Sequence, residues 1–117
     1  MPLLEIFTNV KSDAIPDGFL KNLNSVWQKA IGKPMQYMCV RLAPGETMNF
    51  GGTAEPCALL NVRSIGNLGK EENNAISKAL TAEMGKLGVA PDRMYAVFTD
   101  ISPQDVGFKN TTFAFLA

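Results

Sequence analysis

Pro2 could supply a base of an unusual kind, because it directly follows Met1. A small residue in this position favours removal of the initiator methionine, which would leave a secondary amine on Pro2. An α-amino group ordinarily titrates near ~8, and burial disfavours its charged form. Burial next to Phe108 or Phe113 would therefore lower the pKa of Pro2 below its reference value, towards a useful base at neutral pH. The alternative is that Met1-Pro2 is an ordinary start, since the dipeptide alone is a weak motif.

Lys33 is the second residue that could take part in chemistry, and it directly follows a predicted helix. Its structural role would be to offset the negative end of the helix dipole. Its functional role would be to bind the carboxylate of a substrate as a point charge. The residue type and its position leave both roles open, because one charge does not define a site.

The sequence contains no histidine, which excludes two common kinds of catalytic site. Ser-His-Asp and Cys-His sites both depend on imidazole, and imidazole is also the commonest transition-metal ligand. We predict no metal site and no cofactor. The glycine-rich segment Phe50-Gly51-Gly52-Thr53 lacks the Lys-Ser/Thr pair of a phosphate-binding loop, so it indicates a turn instead.

The two cysteines, Cys39 and Cys57, both lie in apolar stretches. They are predicted to be buried free thiols, which behave as small hydrophobic side chains. A disulfide between them is the alternative, although such a bond is uncommon in a chain made in the cytosol.

Charge and composition narrow the classes of partner. Eleven Lys and Arg balance eleven Asp and Glu, so neither nucleic acid nor an anionic membrane surface is a predicted partner. The 117 residues, of which 46% are hydrophobic, suit a single domain over 1–117 with one core. No apolar run approaches membrane-spanning length, and Glu5 interrupts the first one. We therefore expect no signal peptide, no membrane insertion, and synthesis in the cytosol.

Apolar patterns predict two β-α-β units in tandem. The predicted strands lie at 3–8, 37–42, 58–65 and 94–101, and the predicted helices carry apolar side chains from Phe19 to Ile31 and from Ile76 to Leu87. A glycine, a proline and a tyrosine follow each helix, at Gly32, Pro34 and Tyr37 and again at Gly88, Pro91 and Tyr95. The order β-α-β-β-α-β predicts an α/β fold, more narrowly α+β, with a four-stranded sheet and both helices on one face.

The two faces of the predicted sheet differ in polarity. The side chains expected beneath the helices are apolar, namely Met38, Val40, Leu42, Leu60 and Val62. The opposite face carries Arg41, Asn61 and Arg63. Unpaired sheet edges favour self-association, for which the tail from Val106 is the predicted extra element. RNA-recognition domains share this element order, but they need an RNP motif and a basic sheet, and the sequence has neither.

Motifs along nearly the whole chain together resemble the macrophage migration inhibitory factor family. They are Met1-Pro2 with Thr8-Asn9, Pro16-Asp17-Gly18-Phe19-Leu20, Gly32-Lys33-Pro34 with Tyr37, the segment 50–58, Ser64-Ile65-Gly66, the segment 91–95, and Val106-Gly107-Phe108 with Thr112-Phe113. The resemblance implies an isomerase, a keto–enol tautomerase with Pro2 as general base. It implies phenylpyruvate-type α-keto acids and dopachrome-like compounds as substrates.

The resemblance also implies a homotrimer with a central solvent channel and with pockets between subunits. In such a pocket Lys33, Ser64 and Ile65 would hold the polar end of an enolisable keto acid. The remaining substrate-binding residues would be Tyr37 together with the ring-walling Val106, Phe108 and Phe113, and Tyr95 and Val97 from the neighbouring subunit.

Several positions depart from the pattern of the family's best-studied members. Val97 stands in place of an asparagine, Phe108 in place of a tryptophan, and Leu60 in place of the second cysteine of a Cys-x-x-Cys motif. Ser12 and Gly45 replace an arginine and an aspartate that are linked to chemokine-receptor binding. The resemblance implies that the enzyme is cytoplasmic and that it is also secreted, without a signal peptide, as a cytokine-like protein. The alternative is an extracellular cytokine that binds a cell-surface receptor of the invariant-chain type, while its pocket is incidental.

Overall fold

A computed structural model of the protein describes residues 1–116. Its main elements are β1 (Pro2–Thr8), α1 (Phe19–Ile31), β2 (Cys39–Ala43), β3 (Ala58–Ser64), α2 (Lys70–Gly85) and β4 (Met94–Asp100). A small hairpin of β5 (Gly107–Phe108) and β6 (Thr111–Thr112) follows them. The predicted tandem order of β-α-β units is therefore confirmed.

The four long strands form one mixed sheet in the order β2-β1-β3-β4. β1 pairs with β2 in parallel, and β3 pairs with β4 in parallel. Parallel neighbours need a crossover connection, and α1 and α2 provide it. The two units join through the antiparallel pair β1 and β3, which places Pro2 opposite Ser64.

The helices form where apolar side chains recur at helical spacing. α1 buries Phe19, Leu23, Trp27 and Ile31, and it ends at Gly32, whose left-handed conformation (φ 69°) lets its backbone N–H reach the Gln28 carbonyl. α2 likewise buries a stripe of apolar residues, Ile76, Leu80 and Met84. It ends at Gly85, earlier than predicted, and the following turn places Leu87 in the core.

The core lies between the helices and one face of the sheet, as the sequence pattern predicts. Leu60 and Val62 of β3 are fully buried there, while Met38, Val40 and Leu42 pack partly buried against the same core. The opposite face is open. On it the Arg41 guanidinium lies 3.5 Å from the Glu5 carboxylate.

The second strand and its cysteine differ from the prediction. β2 begins at Cys39 because 35–37 form a 3-10 turn, in which the Tyr37 N–H donates to the Pro34 carbonyl at 3.0 Å. Side chains alternate along a strand, so Cys39 shares the open face with Arg41. Cys39 is exposed and Cys57 is buried, and both thiols are free. The prediction of two buried thiols was therefore wrong for Cys39.

Candidate active site

The amino terminus lies at the end of a central strand rather than at the edge of the molecule. Pro2 is the first residue of β1 and its side chain is fully buried. The carbonyl oxygen of Met1 accepts hydrogen bonds from the Ile65 N–H at 3.2 Å and from Ser64 Oγ at 3.3 Å. The register of β1 against β3 thus brings Pro2, Ser64 and Ile65 together, although they are far apart in sequence.

Lys33 reaches the same place from the end of α1. Its ammonium nitrogen donates to the Ile65 carbonyl at 2.9 Å. Its own carbonyl accepts a hydrogen bond from Gln28 Nε2 at 2.7 Å, which fixes the backbone just beyond the helix. Asn67 Nδ2 donates to the Ile31 carbonyl at 2.9 Å and so ties the turn after β3 to the helix end. Gln28 thus positions Lys33, and Asn67 positions the turn that carries Ile65. Neither residue lines the two depressions that open around Met1.

The turn after β3 is also held from its other side by β4. Asp100 Oδ1 accepts a hydrogen bond from the Gly66 N–H at 3.0 Å, and the Ile101 N–H donates to the Ser64 carbonyl at 2.9 Å. These bonds restrain the backbone that carries Ser64 and Ile65, because they tie the end of β3 and the following turn to the end of β4.

Three aromatic rings form a wall beside the amino terminus. The Phe108 and Phe113 rings stack with an interplanar angle of 4° and a centroid separation of 5.3 Å. The Tyr37 ring meets both edge-on, at 5.8 Å from Phe108 and 6.2 Å from Phe113. The backbone N–H of Phe113 donates to the Val106 carbonyl at 3.1 Å, so the hairpin that carries the two phenylalanines is closed at its base.

Two adjoining depressions open around Met1 and this aromatic wall. The first has a volume of about 400 Å³ and is lined by Met1, Lys33, Pro34, Tyr37, Phe108, Lys109, Phe113 and Leu116. The second has a volume of about 350 Å³, and its lining adds Pro2, Cys39 and Val106 to Met1, Tyr37 and the two phenylalanines. Pockets of this size suit small molecules that combine a ring with a polar end.

The electrostatics of the depressions favour a neutral amine and an anionic ligand. Partial burial, and secondarily the Lys33 ammonium, lower the pKa of the Met1 α-amino group from its usual value of 8.0. Both effects disfavour the protonated amine, since one removes water from it and the other places a like charge nearby. A carboxylate entering the same space would be attracted by Lys33.

The predicted site residues fall into two groups. Pro2, Lys33, Tyr37, Val106, Phe108 and Phe113 line the depressions, and Ser64 and Ile65 contact Met1. Tyr95 and Val97 lie apart on β4, where the two residues are 66% and 50% exposed, and Tyr95 packs against Phe50 at 5.0 Å between ring centroids. One chain does not bring these two residues to the pocket, so their contribution from a neighbouring subunit stays a prediction.

Sequence reasoning missed Lys109, which lines the first depression. Lys109 and Asn110 form a two-residue turn between two short strands, and both adopt positive φ values. Predicting a hairpin turn at these two residues would have been the way to find Lys109. Gln28 and Asn67 were missed as well, because a long-range side-chain contact leaves no periodic signature in the sequence.

Residues 1–116 contain neither a metal-binding cluster nor a membrane-spanning helix. Within that range, no cluster of three or more Cys, Asp, Glu or His side chains is arranged to hold a metal ion. Over the same residues, neither α1 nor α2 is both long enough and apolar enough to cross a membrane.

Comparison with known proteins places the chain in a family. The family model described as macrophage migration inhibitory factor matches residues 1–114. The rat protein of that name is 39% identical over 97% of this chain and 100% of its own length. The structure of the homologue from Trichinella spiralis superposes with a TM-score of 0.90 at 30% identity, covering 95% of this chain and 99% of that one. The structure from Oncomelania hupensis gives a TM-score of 0.92 at 28% identity, covering 96% of this chain and 81% of that one. This chain therefore belongs to the macrophage migration inhibitory factor family.

Proposed function

We propose that this chain is a keto–enol tautomerase for phenylpyruvate-type α-keto acids and dopachrome-like compounds, and that Pro2 is its general base. Family membership supports a role of the tautomerase or cytokine type in general. The choice of an enzyme with this particular base depends on the surroundings of the amino terminus. The active unit would be a single domain over 1–117.

The observation that carries the proposal is the position of Met1. Its carbonyl oxygen accepts hydrogen bonds from Ser64 Oγ and the Ile65 N–H, and Met1 itself lines both depressions. Removal of Met1 would leave the Pro2 nitrogen as a free secondary amine in the same place. It would also release two donors, which could then bind an oxygen of the substrate where the Met1 carbonyl lies now.

The surroundings suit a base at neutral pH. Partial burial and the Lys33 ammonium lower the pKa of the α-amino group one residue away, and the same two causes would act on a Pro2 amine. A neutral amine can remove a proton from the carbon next to the keto group. The resulting enolate gains a proton from water on its oxygen, which gives the enol, and the protonated amine loses its proton to solvent. In the reverse direction the enol hydroxyl loses its proton, and the protonated amine returns a proton to the carbon, which regenerates the base.

The substrate would lie with its carboxylate towards Lys33 and its ring against the aromatic wall. Lys33 donates one hydrogen bond, to the Ile65 carbonyl, and its remaining N–H donors could serve a carboxylate. Tyr37, Phe108 and Phe113 would contact the ring, and Val106 would extend that wall. Apolar contact with a ring and a charge-assisted bond to its polar end would together fix the orientation.

We propose a homotrimer as the assembly in which Tyr95 and Val97 complete the pocket of a neighbouring subunit. The exposed apolar side chains of Leu59 on β3 and of Tyr95 and Val97 on the edge strand β4 support association, as does the uncovered sheet face. Sedimentation equilibrium should give a mass three times that of the chain. A monomer at micromolar concentration would contradict this assembly.

The second candidate function is that of an extracellular cytokine that binds a cell-surface receptor of the invariant-chain type. It is supported by family membership. The two functions can be separated with Pro2→Gly, because lost turnover with intact receptor binding would show two functions on one fold.

The test of the proposed base compares proteins whose proline nitrogen is free or acylated. Mass spectrometry first establishes whether Met1 is absent. Phenylpyruvate turnover is then measured for the processed protein, for Pro2→Gly, and for a variant with one alanine inserted between Met1 and Pro2. The insertion keeps the proline ring but turns its nitrogen into an amide, which cannot act as a base.

We expect turnover in the processed protein, a large loss in Pro2→Gly, and no enzymatic turnover after the insertion. Full activity in a protein with an acylated Pro2 nitrogen would rule out the proposed base. Thermal unfolding of all three proteins serves as the control for correct folding.

A further inference from the structure

The first depression carries a second cation that the proposed reaction does not use. Lys33 and Lys109 both contribute to its lining, which contains no Asp or Glu among the described residues. Lys33 is partly buried beside the amino terminus, whereas Lys109 is exposed at the tip of the β5–β6 hairpin. The rings of Tyr37, Phe108 and Phe113 line the same depression.

The hairpin turn holds Lys109 at this position. Lys109 and Asn110 have φ values of 52° and 65°, as a tight two-residue turn requires. The Lys109 ammonium nitrogen lies 5.5 Å from the centroid of the Phe108 ring, which is part of the aromatic wall. The charge therefore lies beside a ring that would contact the substrate, and it does not project freely from a mobile loop.

Neither lysine is neutralised by a carboxylate within residues 1–116. The ion pairs found in that range join Arg41 to Glu5 and Lys86 to Glu83, and both lie outside the depression. Lys33 donates to a backbone carbonyl, and Lys109 faces a ring. Two positive charges around one apolar-walled depression create a field that attracts an anion with two charged ends.

We propose that Lys109 forms a second anion-binding position, so that the preferred substrates are aryl α-keto acids with an acidic group at the far end of the ring. This inference rests on the proposed function, because it assigns the keto-acid carboxylate to Lys33 and the ring to the aromatic wall. The distal anion then pairs with Lys109. An ordinary solvated lysine would instead contribute nothing to the choice between singly and doubly charged substrates.

The expected effect is modest because Lys109 is exposed. Exposed ion pairs contribute little and are screened by salt, so loss of the ammonium should reduce the preference for a doubly charged substrate by roughly twofold to fivefold. Charge reversal should reduce it further, since attraction is replaced by repulsion. High salt should weaken the preference in the wild-type protein.

The experiment compares kcat/KM for 4-carboxyphenylpyruvate and for phenylpyruvate, and the ratio of the two is the readout. It is measured in wild type, Lys109→Gln, Lys109→Glu and Lys109→Arg, at low and high salt. Lys78→Gln is the matched control, because Lys78 is an exposed lysine on α2 that lines neither depression. We expect the ratio to fall in the order Arg, Gln, Glu at position 109 and to stay at the wild-type value in Lys78→Gln.

A binding measurement separates this inference from the proposed function. Calorimetric titration with 3-(4-carboxyphenyl)propionate and 3-phenylpropionate compares the same two charges in compounds without a keto group. If phenylpyruvate is not turned over, the proposed function fails, and the titration still tests Lys109. A ratio that is unchanged by both Lys109→Gln and Lys109→Glu, in turnover and in binding, would overturn the assignment of Lys109.

Discussion

Each helix of this fold is followed by a glycine, a proline, a cation and a tyrosine, although the cation precedes the proline after α1 and follows it after α2. The two cations meet different surroundings. After α1, Lys33 donates a single hydrogen bond, to the Ile65 carbonyl at 2.9 Å. After α2, Arg93 donates to four backbone carbonyls, those of Phe50, Thr53, Glu55 and Pro56, at 2.9–3.3 Å. Its guanidinium carbon also lies 5.8 Å from the Phe50 ring centroid.

The difference follows from what lies beside each helix end. The loop between β2 and β3 lies over the end of the second unit, where its carbonyl groups bind the planar guanidinium of Arg93. The chain's own amino terminus lies beside the end of the first unit, where a depression of about 400 Å³ is left. One cation is therefore satisfied by the backbone, while the other keeps donors for a ligand. The same supersecondary unit thus serves structure in one copy and, in our proposal, catalysis in the other.

The sharpest test of this contrast is Lys33→Ala. We expect kcat/KM for phenylpyruvate to fall by roughly 10- to 100-fold, since one charge-assisted hydrogen bond to the carboxylate contributes about 1.5–3 kcal/mol. The free energy of unfolding should change by less than about 1 kcal/mol, because within residues 1–116 the substitution removes one side-chain hydrogen bond, from the Lys33 ammonium to the Ile65 carbonyl. Steady-state kinetics with phenylpyruvate and its neutral ethyl ester provide the measurement. An equal loss for acid and ester would mean that Lys33 is a helix-end residue only.

Arg93→Ala should show the opposite pattern, in which the stability of the fold is reduced and the kinetics change little. The substitution removes four hydrogen bonds to backbone carbonyls. Three of these carbonyls keep another donor, namely the Thr53 N–H at Phe50, the Phe50 N–H at Thr53 and Asn9 Nδ2 at Glu55, and partial exposure lets water replace some of the lost bonds. We expect the free energy of unfolding to fall by about 1–3 kcal/mol in a urea titration. Lys33→Ala is the matched control. Unchanged stability in Arg93→Ala would show that the loop after β2 is held by other contacts.

The two left-handed glycines that follow the helices, Gly32 directly after α1 and Gly88 in the turn after α2, should respond alike to alanine. Gly32 and Gly88 have φ values of 69° and 84°, which favour glycine over other residues. An added Cβ would have room at both positions, with Asn67 Nδ2 3.9 Å away at Gly32 and nothing within 4 Å at Gly88. We expect each substitution to lower the free energy of unfolding by about 1 kcal/mol through backbone strain. A clear difference between the two would show that the units are not equivalent even in their scaffold.

The smallest expected effect concerns the amino terminus, which has no counterpart in the second unit. In protein that retains Met1, the folded-state pKa of the α-amino group lies below 8.0. In the pH range just below 8.0, the unfolded chain therefore binds more protons than the folded chain does. The free energy of unfolding should therefore increase as pH rises through this window. Lys33→Ala should reduce the slope, because it removes the second cause of the shift. A slope that amino-terminal acetylation leaves unchanged would point to a different titrating group.

The sequence by itself determined the scaffold, because its signals are local and periodic. Apolar side chains at helical spacing predicted α1 from Phe19 to Ile31, and Gly32 and Pro34 marked its end. The alternation that places Leu60 and Val62 inside and Arg63 outside predicted which face of the sheet is covered. Recognition of the family's motifs added Pro2 and Lys33 as a pair, which spacing alone could not have linked.

The tertiary structure decided what meets across the sheet, since contacts between distant residues depend on strand order and register. Pairing of β1 with β3 placed Met1 against Ser64 and Ile65, and the hairpin turn placed Lys109 in the depression beside Lys33. Cys39 is exposed because its strand alternation turns it to the open face, despite its apolar neighbours in sequence. Periodicity indicates which face of an element is buried, but only the assembled sheet determines which side chains share a pocket.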